Sequence, residues 1–492
     1  MNNEKEYYYK PPKNLMISPS GMRGQIGESL TLEVSLRFTK SYGLWLGQNS
    51  NVLIGMDTRN TSLMLSNIVS AGLMDVGINV TDAGICPTPA IVFYKRKFGY
   101  DGSVIISGSH NPPSDNGLKF LSRTNTFLGI DELAEIYKYF YYTRELRSSK
   151  WKDIGKYKQT DIISTYINNL KKYLQLDIFK QNKKLRVVID TGAGAGINVI
   201  DKILRDLGCE VILINDKFTN YPEFPREIEP IQKNLTELSR VIRENNADVG
   251  FAFDCDADRV AIANSDGFIY PEDVTVILLV KYILEKQFET KNKQNKFENA
   301  ILVTNSASSM NFEQIALEYN IKVIRTPVGE RYLAIKMDEL IKEFPRYLIF
   351  GGEGSSGGFM YPPFNNARDG IFASCLISQL LLDKQQSLKD LIEKLPKLYT
   401  TRKILDLKQL PVNLSIQQII QTIKTNLDLE KINYESYIND IRIVNLEKLE
   451  WILIHPSNTE PIIRVITEAK TFEKASELCE YGIKLLKKAI NL

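Results

Sequence analysis

Asn51–Met56 reads NVLIGM, a run of apolar residues long enough for one buried strand. A segment with helical periodicity follows from Ser62 to Val76, and two further strand-like runs occupy Ile78–Thr81 and Ser103–Ile106. The last of these runs into a polar loop, SGSHNPPSDNG, at residues 107–117. Short apolar runs that alternate with helix-length segments indicate an α/β unit whose strands are buried and mostly parallel.

The same kind of unit occurs twice more along the chain. Leu185–Asp190 (LRVVID) begins the second copy, whose later strand, Asp248–Phe253, ends in the loop DCDADR. Ala300–Thr304 (AILVT) begins the third copy, whose strand Tyr347–Phe350 ends in the loop GGEGSSGG. Ligands of open α/β sheets bind beyond the carboxyl ends of the strands, so we expect the three loops to converge on one cleft.

The pattern changes after about Thr400, where short strands alternate with a helix-like segment and a final amphipathic helix begins at Phe472. We therefore predict an α/β protein with three similar α/β domains, whose sheets are mixed and mostly parallel, plus a smaller C-terminal α+β domain, around a central cleft. Polar stretches between the units place the predicted domains at residues 1–155, 156–268, 269–390 and 391–492.

The composition is that of an ordinary globular protein and excludes several classes of function. The 62 Lys and Arg residues against 59 Asp and Glu give a net charge of +3, which provides no general attraction to nucleic acid or to an anionic membrane. Five widely spaced cysteines predict neither a disulfide framework nor a zinc site. The N-terminal residues have no signal-peptide core, and apolar runs such as Val274–Val280 are too short to span a bilayer. We expect a cytoplasmic monomer or homodimer.

The loop SGSHNPPSDNG presents a hydroxyl group in a stiff turn. Its two prolines exclude a helix, so Ser109 is held beside His110, one of two histidines in the chain. A hydroxyl on a rigid loop, next to a group that can donate a proton or a hydrogen bond, suits a covalent phosphoryl carrier. The alternative is an ordinary turn whose Ser and Asn side chains cap backbone groups.

Three carboxylates stand at alternate positions in FDCDADRV, residues 253–260. Asp254, Asp256 and Asp258 converge if the backbone turns, and carboxylate oxygens are ligands that Mg²⁺ prefers. The guanidinium of the adjacent Arg259 matches the geometry of a phosphate group. A hydroxyl group, a predicted Mg²⁺ site and an arginine together indicate phosphoryl transfer.

Three other stretches have features that are common in ligand sites. In GGEGSSGG (351–358) the glycines allow a ligand to approach the backbone closely, and the carboxylate and hydroxyls suit a sugar. HPSNTEPIIR (455–464) offers hydroxyl groups and an arginine to a phosphate group, or forms an ordinary turn. TGAGAG (191–196) has glycines spaced GxGxG, so we predict a strand-to-helix turn and not a dinucleotide site.

A series of segments, in this order, resembles the signature motifs of the α-D-phosphohexomutase superfamily, which includes phosphomannomutase/phosphoglucomutase and phosphoglucosamine mutase. They are SGMRG (20–24), GMDTR (55–59), SGSHNP (107–112), FDCDADR (253–259), TPVGER (326–331), GGEGSSGG (351–358), ARDG (367–370) and HPSNTEPIIR (455–464). The resemblance covers nearly the whole chain. It implies three α/β domains and a smaller C-terminal domain that closes over the cleft.

The resemblance also implies an enzyme, an intramolecular phosphotransferase that interconverts hexose 1-phosphate and hexose 6-phosphate. Phosphorylated Ser109 would donate its phosphoryl group to the sugar, form hexose 1,6-bisphosphate and then recover the other phosphoryl group. Mannose and glucose phosphates are the expected substrates, and glucosamine phosphate is the alternative sugar. A catalytically silent phosphosugar-binding protein is the alternative from a different class.

Individual residues take roles from the same resemblance. The implied Mg²⁺ ligands are Asp254, Asp256, Asp258 and the phosphate on Ser109. The implied catalytic groups are Arg23 and Arg259, which contact the transferring phosphoryl group, and Lys119, a general acid/base supported by His110. The implied substrate-binding residues are Gly329, Glu353 and Ser355 for the sugar, and His455, Ser457, Asn458, Thr459 and Arg464 for the phosphate that is not reacting.

The chain departs from the family's pattern in the phosphate segment, the sugar loop and the metal loop. Gly354 and Gly357 stand where many relatives have a larger polar residue or a histidine, so the pattern does not fix the sugar specificity. His455 and Asn458 stand where the family usually has Arg and Gly, which we expect to weaken phosphate binding or to require a compensating group. Cys255 stands where the metal loop usually has Gly, although the three carboxylates are unchanged.

Overall fold

The computed structural model describes residues 7–19, 21–180, 184–217, 223–289, 297–354, 357–407, 415–456 and 462–490. Their contacts divide the chain into two compact units. The first unit comprises the chain up to Thr275 together with Gly357–Asp390, and the second comprises the chain from Val276 to Ser356 together with the chain from Leu391 onward.

The first α/β domain is built on a seven-stranded mixed sheet. Its elements are β1 (Met16–Ser18), β2 (Gly21–Gln25), α1 (Leu32–Leu46), β3 (Asn51–Met56), α2 (Ser62–Asp75), β4 (Asn79–Ile85), α3 (Thr88–Phe98), β5 (Gly102–Ile106), β6 (Asp115–Leu121), α4 (Ile130–Phe140) and β7 (Tyr157–Gln159). The strand order is β1-β2-β6-β5-β3-β4-β7, with β5, β3, β4 and β7 parallel and the remaining pairs antiparallel.

The strand β3 is buried on both faces, as the run NVLIGM predicts. Val52 and Ile54 belong to an apolar core that also contains residues of α1, α2 and α4. Leu53 lies between them in sequence and is equally buried, although successive strand residues point to opposite faces. Because β5, β3 and β4 are parallel, their carboxyl ends and the loops that follow them lie at the same end of the sheet.

The second α/β domain has a four-stranded sheet. Its elements are α5 (Ile163–Leu170), α6 (Leu176–Phe179), β8 (Arg186–Asp190), α7 (Ile200–Asp206), β9 (Glu210–Ile214), α8 (Thr236–Glu244), β10 (Val249–Phe253) and β11 (Val260–Asn264), with short 3-10 helices at Lys171–Tyr173 and Gln232–Asn234. The order is β11-β10-β8-β9, and only the β10–β11 pair is antiparallel. The stretch TGAGAG lies between β8 and α7, which agrees with the predicted strand-to-helix turn.

The following segment contributes to both compact units. Its elements are α9 (Glu272–Glu289), β12 (Asn299–Asn305), α10 (Asn311–Glu318), β13 (Lys322–Thr326), α11 (Glu330–Glu343), β14 (Tyr347–Glu353), β15 (Gly358–Tyr361), β16 (Asn365–Arg368), α12 (Gly370–Lys384) and α13 (Leu388–Glu393). In the second unit, β13, β12 and β14 are parallel neighbours in that order. In the first unit, β15 and β16 form an antiparallel pair before α12.

The C-terminal domain belongs to the second unit and is α+β. Its elements are β17 (Tyr399–Asp406), α14 (Ile416–Leu429), β18 (Tyr434–Tyr437), β19 (Asp440–Asn445), β20 (Glu450–Pro456), β21 (Ile462–Ala469) and α15 (Phe472–Ala489). The sheet is antiparallel throughout, in the order β17-β21-β20-β19-β18. Apolar residues of α14 and α15 form a core with the sheet.

The predicted fold class is confirmed, because three α/β domains with mixed sheets are followed by a further, smaller domain. The residue boundaries given above for the four domains stay predictions. Among the described residues, no helix combines the length and the apolar character needed to cross a bilayer.

Candidate active site

Ser109 is buried at the start of the loop between β5 and β6. It is 3% exposed and its φ is +51°, a conformation that costs free energy for a residue other than glycine. Its Oγ lies 3.3 Å from Asp254 Oδ2, 3.4 Å from Arg259 Nη2 and 3.5 Å from His110 Nδ1. The predicted nucleophile therefore contacts a carboxylate of the predicted metal loop and the arginine beside it.

Arg59 holds the Ser109 loop in place. Its guanidinium donates hydrogen bonds of 2.6–3.0 Å to four backbone carbonyl groups of the loop and its end, those of Ser109, Asn111, Pro112 and Asp115. The Nε atom also lies 3.3 Å from a carboxylate oxygen of Asp57. A Cβ atom at Gly108 would lie 2.6 Å from Arg59 Cζ, so a larger residue there would displace the guanidinium from the loop.

The three carboxylates of the DCDADR loop converge as predicted. One ligand atom from each of Asp254, Asp256 and Asp258 lies within 4.8 Å of the others, and all three residues are buried. Ala257 adopts a φ of +55°, which turns the backbone between the second and third carboxylates. Asp256 Oδ1 and Asp258 Oδ1 accept no hydrogen bond from the described residues. Buried acceptors without a donor are costly, and a divalent cation such as Mg²⁺ would satisfy both, so the residues present fit that ion.

Each carboxylate also faces a cation through its Oδ2 atom. Arg259 Nη2 lies 2.9 Å from Asp254, Lys119 Nζ lies 2.5 Å from Asp256, and Arg368 Nη2 contacts Asp258. These pairs are buried, so their charges are weakly screened by solvent. These three cations only balance the three carboxylates, so the positive charge that a phosphate group needs would come from Arg23 and from a bound divalent cation.

The protonation of the site follows from burial and from these cations. Burial raises the pKa of Asp254 to about 7, an effect that Arg259 opposes. Burial also favours a higher pKa for Asp256, but the Lys119 ammonium and the Thr88 hydroxyl outweigh it and hold that pKa below its ordinary value. Burial, reinforced by the positive charge of Arg259, lowers the pKa of His110 to about 3. His110 is therefore a neutral hydrogen-bonding group at neutral pH.

The sugar loop predicted from GGEGSSGG begins at the end of β14. Glu353 is 6% exposed, and its Oε1 accepts a 3.1 Å hydrogen bond from Asn305 Nδ2. Gly354 N donates to Ser308 Oγ at 3.0 Å. A Cβ atom at Gly351 would lie 2.2 Å from the carbonyl oxygen of Val303, which explains a glycine there. The predicted Ser355 lies outside the described residues.

The predicted phosphate-binding segment follows β20. His455 of β20 stands opposite Arg464 of β21 in the antiparallel register. His455 Nδ1 lies 2.7 Å from Asp440 Oδ1. Gly329, also predicted to bind substrate, is the residue before α11 and has a φ of +128°. Ser457, Asn458 and Thr459 lie outside the described residues.

The structure groups the predicted residues by unit. The first unit brings together the nucleophile, the carboxylates and their neighbours, which are Ser109, His110, Lys119, Asp254, Asp256, Asp258 and Arg259. Arg23 of β2 belongs to the same group, because it interacts electrostatically with Asp256 and Asp258. The second unit contains the described residues predicted to bind the sugar and its other phosphate, which are Gly329, Glu353, His455 and Arg464.

Three residues of the site were not among the predicted ones. Arg59 and Arg368 stand within GMDTR and ARDG, so the resemblance offered a signal for both. Thr88 Oγ1 donates a 2.5 Å hydrogen bond to Asp256 Oδ2. No motif marks this threonine, and only the fold shows that it contacts the carboxylate.

Family models match three consecutive parts of the chain. Residues 16–146, 164–267 and 271–399 match alpha/beta/alpha domains I, II and III of phosphoglucomutase/phosphomannomutase. A solved structure, a putative phosphomannomutase from Thermus thermophilus, has the same fold, with a TM-score of 0.76 and 23% identity over 97% of this chain and 100% of that one.

Several archaeal proteins are similar over almost their full length. A probable phosphoglucosamine mutase of Pyrococcus furiosus is 34% identical, with 96% of this chain and 97% of the relative covered. A phosphoglucosamine/phosphogalactosamine mutase of Sulfurisphaera tokodaii is 32% identical (94% and 97% covered), and a phosphoglucomutase/phosphomannomutase of Thermococcus kodakarensis is 31% identical (96% and 98%). The chain therefore belongs to the α-D-phosphohexomutase superfamily of intramolecular phosphotransferases.

Proposed function

We propose that the chain interconverts hexose 1-phosphate and hexose 6-phosphate by passing a phosphoryl group through Ser109. The observation that carries this proposal is the position of Ser109 Oγ, 3.3 Å from Asp254 and 3.4 Å from Arg259. A hydroxyl between a potential metal ligand and a guanidinium suits reversible phosphorylation, because both neighbours act on the charge of the phosphoryl group.

The proposed reaction consists of two transfers that mirror each other. In the first, the bond between Ser109 Oγ and phosphorus breaks while a sugar hydroxyl forms a new bond to phosphorus, which gives hexose 1,6-bisphosphate. The proton of the attacking hydroxyl ends on Ser109 Oγ, and we assign its movement to Lys119 Nζ, with His110 as a neutral hydrogen-bond partner of Ser109. In the second, the reoriented bisphosphate returns its other phosphoryl group to Ser109.

The charged residues around Ser109 have separate proposed roles. Arg23 and Arg259 contact the transferring phosphoryl group, and their positive charge stabilises the transition state. Asp254, Asp256, Asp258 and the phosphate on Ser109 would hold Mg²⁺, which supplies charge neutralisation for the transferring group when it is bound. The Asp256 carboxylate keeps the Lys119 ammonium in place at 2.5 Å.

The second unit is proposed to bind the rest of the substrate. Glu353 and Ser355 would accept or donate hydrogen bonds to sugar hydroxyls, with Gly329 close to the sugar. The phosphate that is not reacting would contact a positively charged and hydroxyl-rich segment formed by His455, Ser457, Asn458, Thr459 and Arg464. Hydroxyl groups and an arginine are suitable donors for phosphate oxygens.

Glucosamine phosphate is the sugar phosphate that we propose first. The relatives from Pyrococcus furiosus and Sulfurisphaera tokodaii carry the names of phosphoglucosamine mutases. Mannose and glucose phosphates, which the motifs alone placed first, are the second candidate, because the Thermococcus kodakarensis relative is a phosphoglucomutase/phosphomannomutase.

The proposal is tested by phosphorus NMR with glucosamine, glucose and mannose 1-phosphates in separate samples. Each sample contains Mg²⁺ and a trace of the matching 1,6-bisphosphate. We expect conversion to the 6-phosphate, fastest with glucosamine. A folded, Mg²⁺-supplied protein that converts none of the three sugars would contradict the proposal and favour a phosphosugar-binding protein.

A further inference from the structure

His455 contacts the buried carboxylate of Asp440 through one nitrogen of its ring. Its Nδ1 lies 2.7 Å from Asp440 Oδ1, and Asp440 is 5% exposed. Among the described residues, none hydrogen-bonds to Nε2 of His455. A carboxylate at Nδ1 fixes both the orientation of an imidazole ring and the nitrogen that remains for a ligand.

The same carboxylate is fixed through its second oxygen. Ser306 Oγ, which is fully buried, donates to Asp440 Oδ2 at 3.3 Å. Ser306 follows the last residue of β12, and its position is therefore set by the parallel sheet and not by the C-terminal domain alone. Asp440 thus joins the strand that carries His455 to the end of β12.

The adjacent residue holds the sugar loop. Asn305 Nδ2 donates to Glu353 Oε1 at 3.1 Å, and Asn305 Oδ1 accepts hydrogen bonds from Ala307 N and Ser308 Oγ. Asn305 therefore positions Glu353, which is proposed to bind the sugar. The neighbouring Ser306 positions Asp440 and, through it, His455, which is proposed to bind the phosphate.

The segment after β12 is rigid enough to serve as this common support. The Arg325 guanidinium donates hydrogen bonds to the backbone carbonyl groups of Asn305, Ser308 and Ser309. It also forms an ion pair of 2.7 Å with Glu313. On the other side, Glu468 Oε2 accepts hydrogen bonds from Met310 N and Trp451 Nε1 at 2.8 and 2.9 Å. Buried, fully bonded networks of this kind resist displacement.

We propose that Asp440 is a positioning residue for substrate phosphate. Its carboxylate engages Nδ1–H of His455, so that Nε2–H donates to the phosphate and the carboxylate balances the charge of the doubly protonated ring. Ser306 and Asn305 set the distance between this donor and Glu353. The inference rests on the proposed function, because the phosphate is that of the sugar substrate.

The sign of one substitution separates this role from simple electrostatics. A carboxylate near a phosphate repels it, so Asp440→Asn tightens binding if Asp440 acts only through its charge. If Asp440 positions His455, the same substitution weakens binding, by about tenfold for the loss of a charge-assisted hydrogen bond.

The test is a double-mutant cycle on the dissociation constant of glucosamine 6-phosphate, measured by calorimetry on the full chain. Asp440→Asn and His455→Gln should each weaken binding by about tenfold, and the double variant no further than either one, because the effect of Asp440 acts through His455. Glu450→Gln, on the same strand as His455, is the matched control and should bind like the wild type. Ser306→Ala, which removes a single hydrogen bond to Asp440, should weaken binding by about threefold and only while His455 is present.

The outcomes for this inference and for the proposed function are distinct. Additive effects in the cycle, or tighter binding by Asp440→Asn, overturn the role of Asp440 even when the wild type converts hexose phosphates. If Asp440→Asn does not fold, the Ser306→Ala cycle decides in the same way. A wild type that neither binds nor converts the sugar phosphates overturns the proposed function and this inference with it.

Discussion

Arg59 supports the Ser109 loop through its backbone. Its guanidinium bonds to backbone carbonyl groups from Ser109 to Asp115, and its buried partner is Asp57. These bonds hold Ser109 in its positive-φ conformation, which is otherwise disfavoured. We therefore expect Arg59 to affect catalysis through the shape of the loop.

We expect Arg59→Lys to lower kcat by at least about tenfold while KM changes less. Lysine keeps the positive charge beside Asp57, but one ammonium group cannot reproduce the planar fork of donors. The loss of several hydrogen bonds should also lower the free energy of unfolding by about 2 kcal/mol. Steady-state kinetics and denaturant unfolding measure both effects, and Arg144→Lys, at an exposed position of the same domain, is the control. Unchanged kcat in the folded variant would show that the loop does not depend on Arg59.

The sequence predicted contacts within one loop of the site better than contacts between residues far apart in the chain. The carboxylates of DCDADR lie within five residues of one another, so their convergence follows from a single turn. Arg59 contacts a loop about fifty residues away, and Thr88 contacts Asp256 across two domains. Such contacts depend on how the sheets pack, which a residue pattern does not encode.

The N-terminal end of α12 packs against the DCDADR loop. A Cβ atom at Gly370 would lie 2.7 Å from the backbone carbon of Arg259. The preceding Asp369 caps the helix through Phe372 N at 2.9 Å and accepts a 2.6 Å hydrogen bond from Tyr166. Burial raises the pKa of Asp369 to about 6. This cap is thus more easily protonated than an exposed aspartate.

We expect this cap to make stability depend on pH. Because the pKa of Asp369 is raised, the folded protein binds more protons than the unfolded chain between about pH 4 and 6. The stabilisation that protonated Asp369 contributes is therefore complete below about pH 4 and is lost as the pH rises through 6. The size of the loss is about 2–3 kcal/mol. Asn in place of Asp369 keeps the cap and removes the titration. The unfolding free energy of the wild type minus that of Asp369→Asn should decrease as the pH rises from about 4 to 6. A difference that is independent of pH would contradict the assignment.

Strands buried on both faces were predicted more accurately than those near the edges. NVLIGM coincides with β3, and LRVVID contains β8, because continuous apolar runs mark strands that are covered on both sides. The strand β17, Tyr399–Asp406, has mostly exposed or half-buried residues and forms through eight antiparallel pairs with β21. Pairing with a partner, and not its own composition, makes this segment a strand.

Ser109, the three carboxylates of the DCDADR loop and the cations that contact them all belong to the first compact unit. Each buried carboxylate is paired with a lysine or an arginine, but two carboxylate oxygens, Oδ1 of Asp256 and Oδ1 of Asp258, accept no hydrogen bond from the described residues, which is costly unless a divalent cation binds there. The whole chain should therefore be more stable when Mg²⁺ is present.

We expect Mg²⁺ to raise the unfolding free energy of the full chain, by about 2.7 kcal/mol at a concentration about one hundred times its dissociation constant. Chelation should reverse the effect. The increase should be absent in Asp258→Asn and preserved in Asp131→Asn, an exposed carboxylate of the same unit. Thermal unfolding at increasing Mg²⁺ measures it, and equal stabilisation of the wild type and Asp258→Asn would place the ion elsewhere.

Ser109 is proposed to carry the phosphoryl group between the two positions of the sugar. The most direct measurement is mass spectrometry of the intact chain and its peptides after incubation with glucose 1,6-bisphosphate and Mg²⁺. We expect one added phosphoryl group, located on Ser109, which is lost on addition of a hexose 1-phosphate. In Ser109→Ala we expect no phosphorylation and no turnover, whereas Ser114→Ala, an exposed serine of the same loop, should behave as the wild type. Full turnover by Ser109→Ala, or a phosphoryl group found on another residue, would contradict the account.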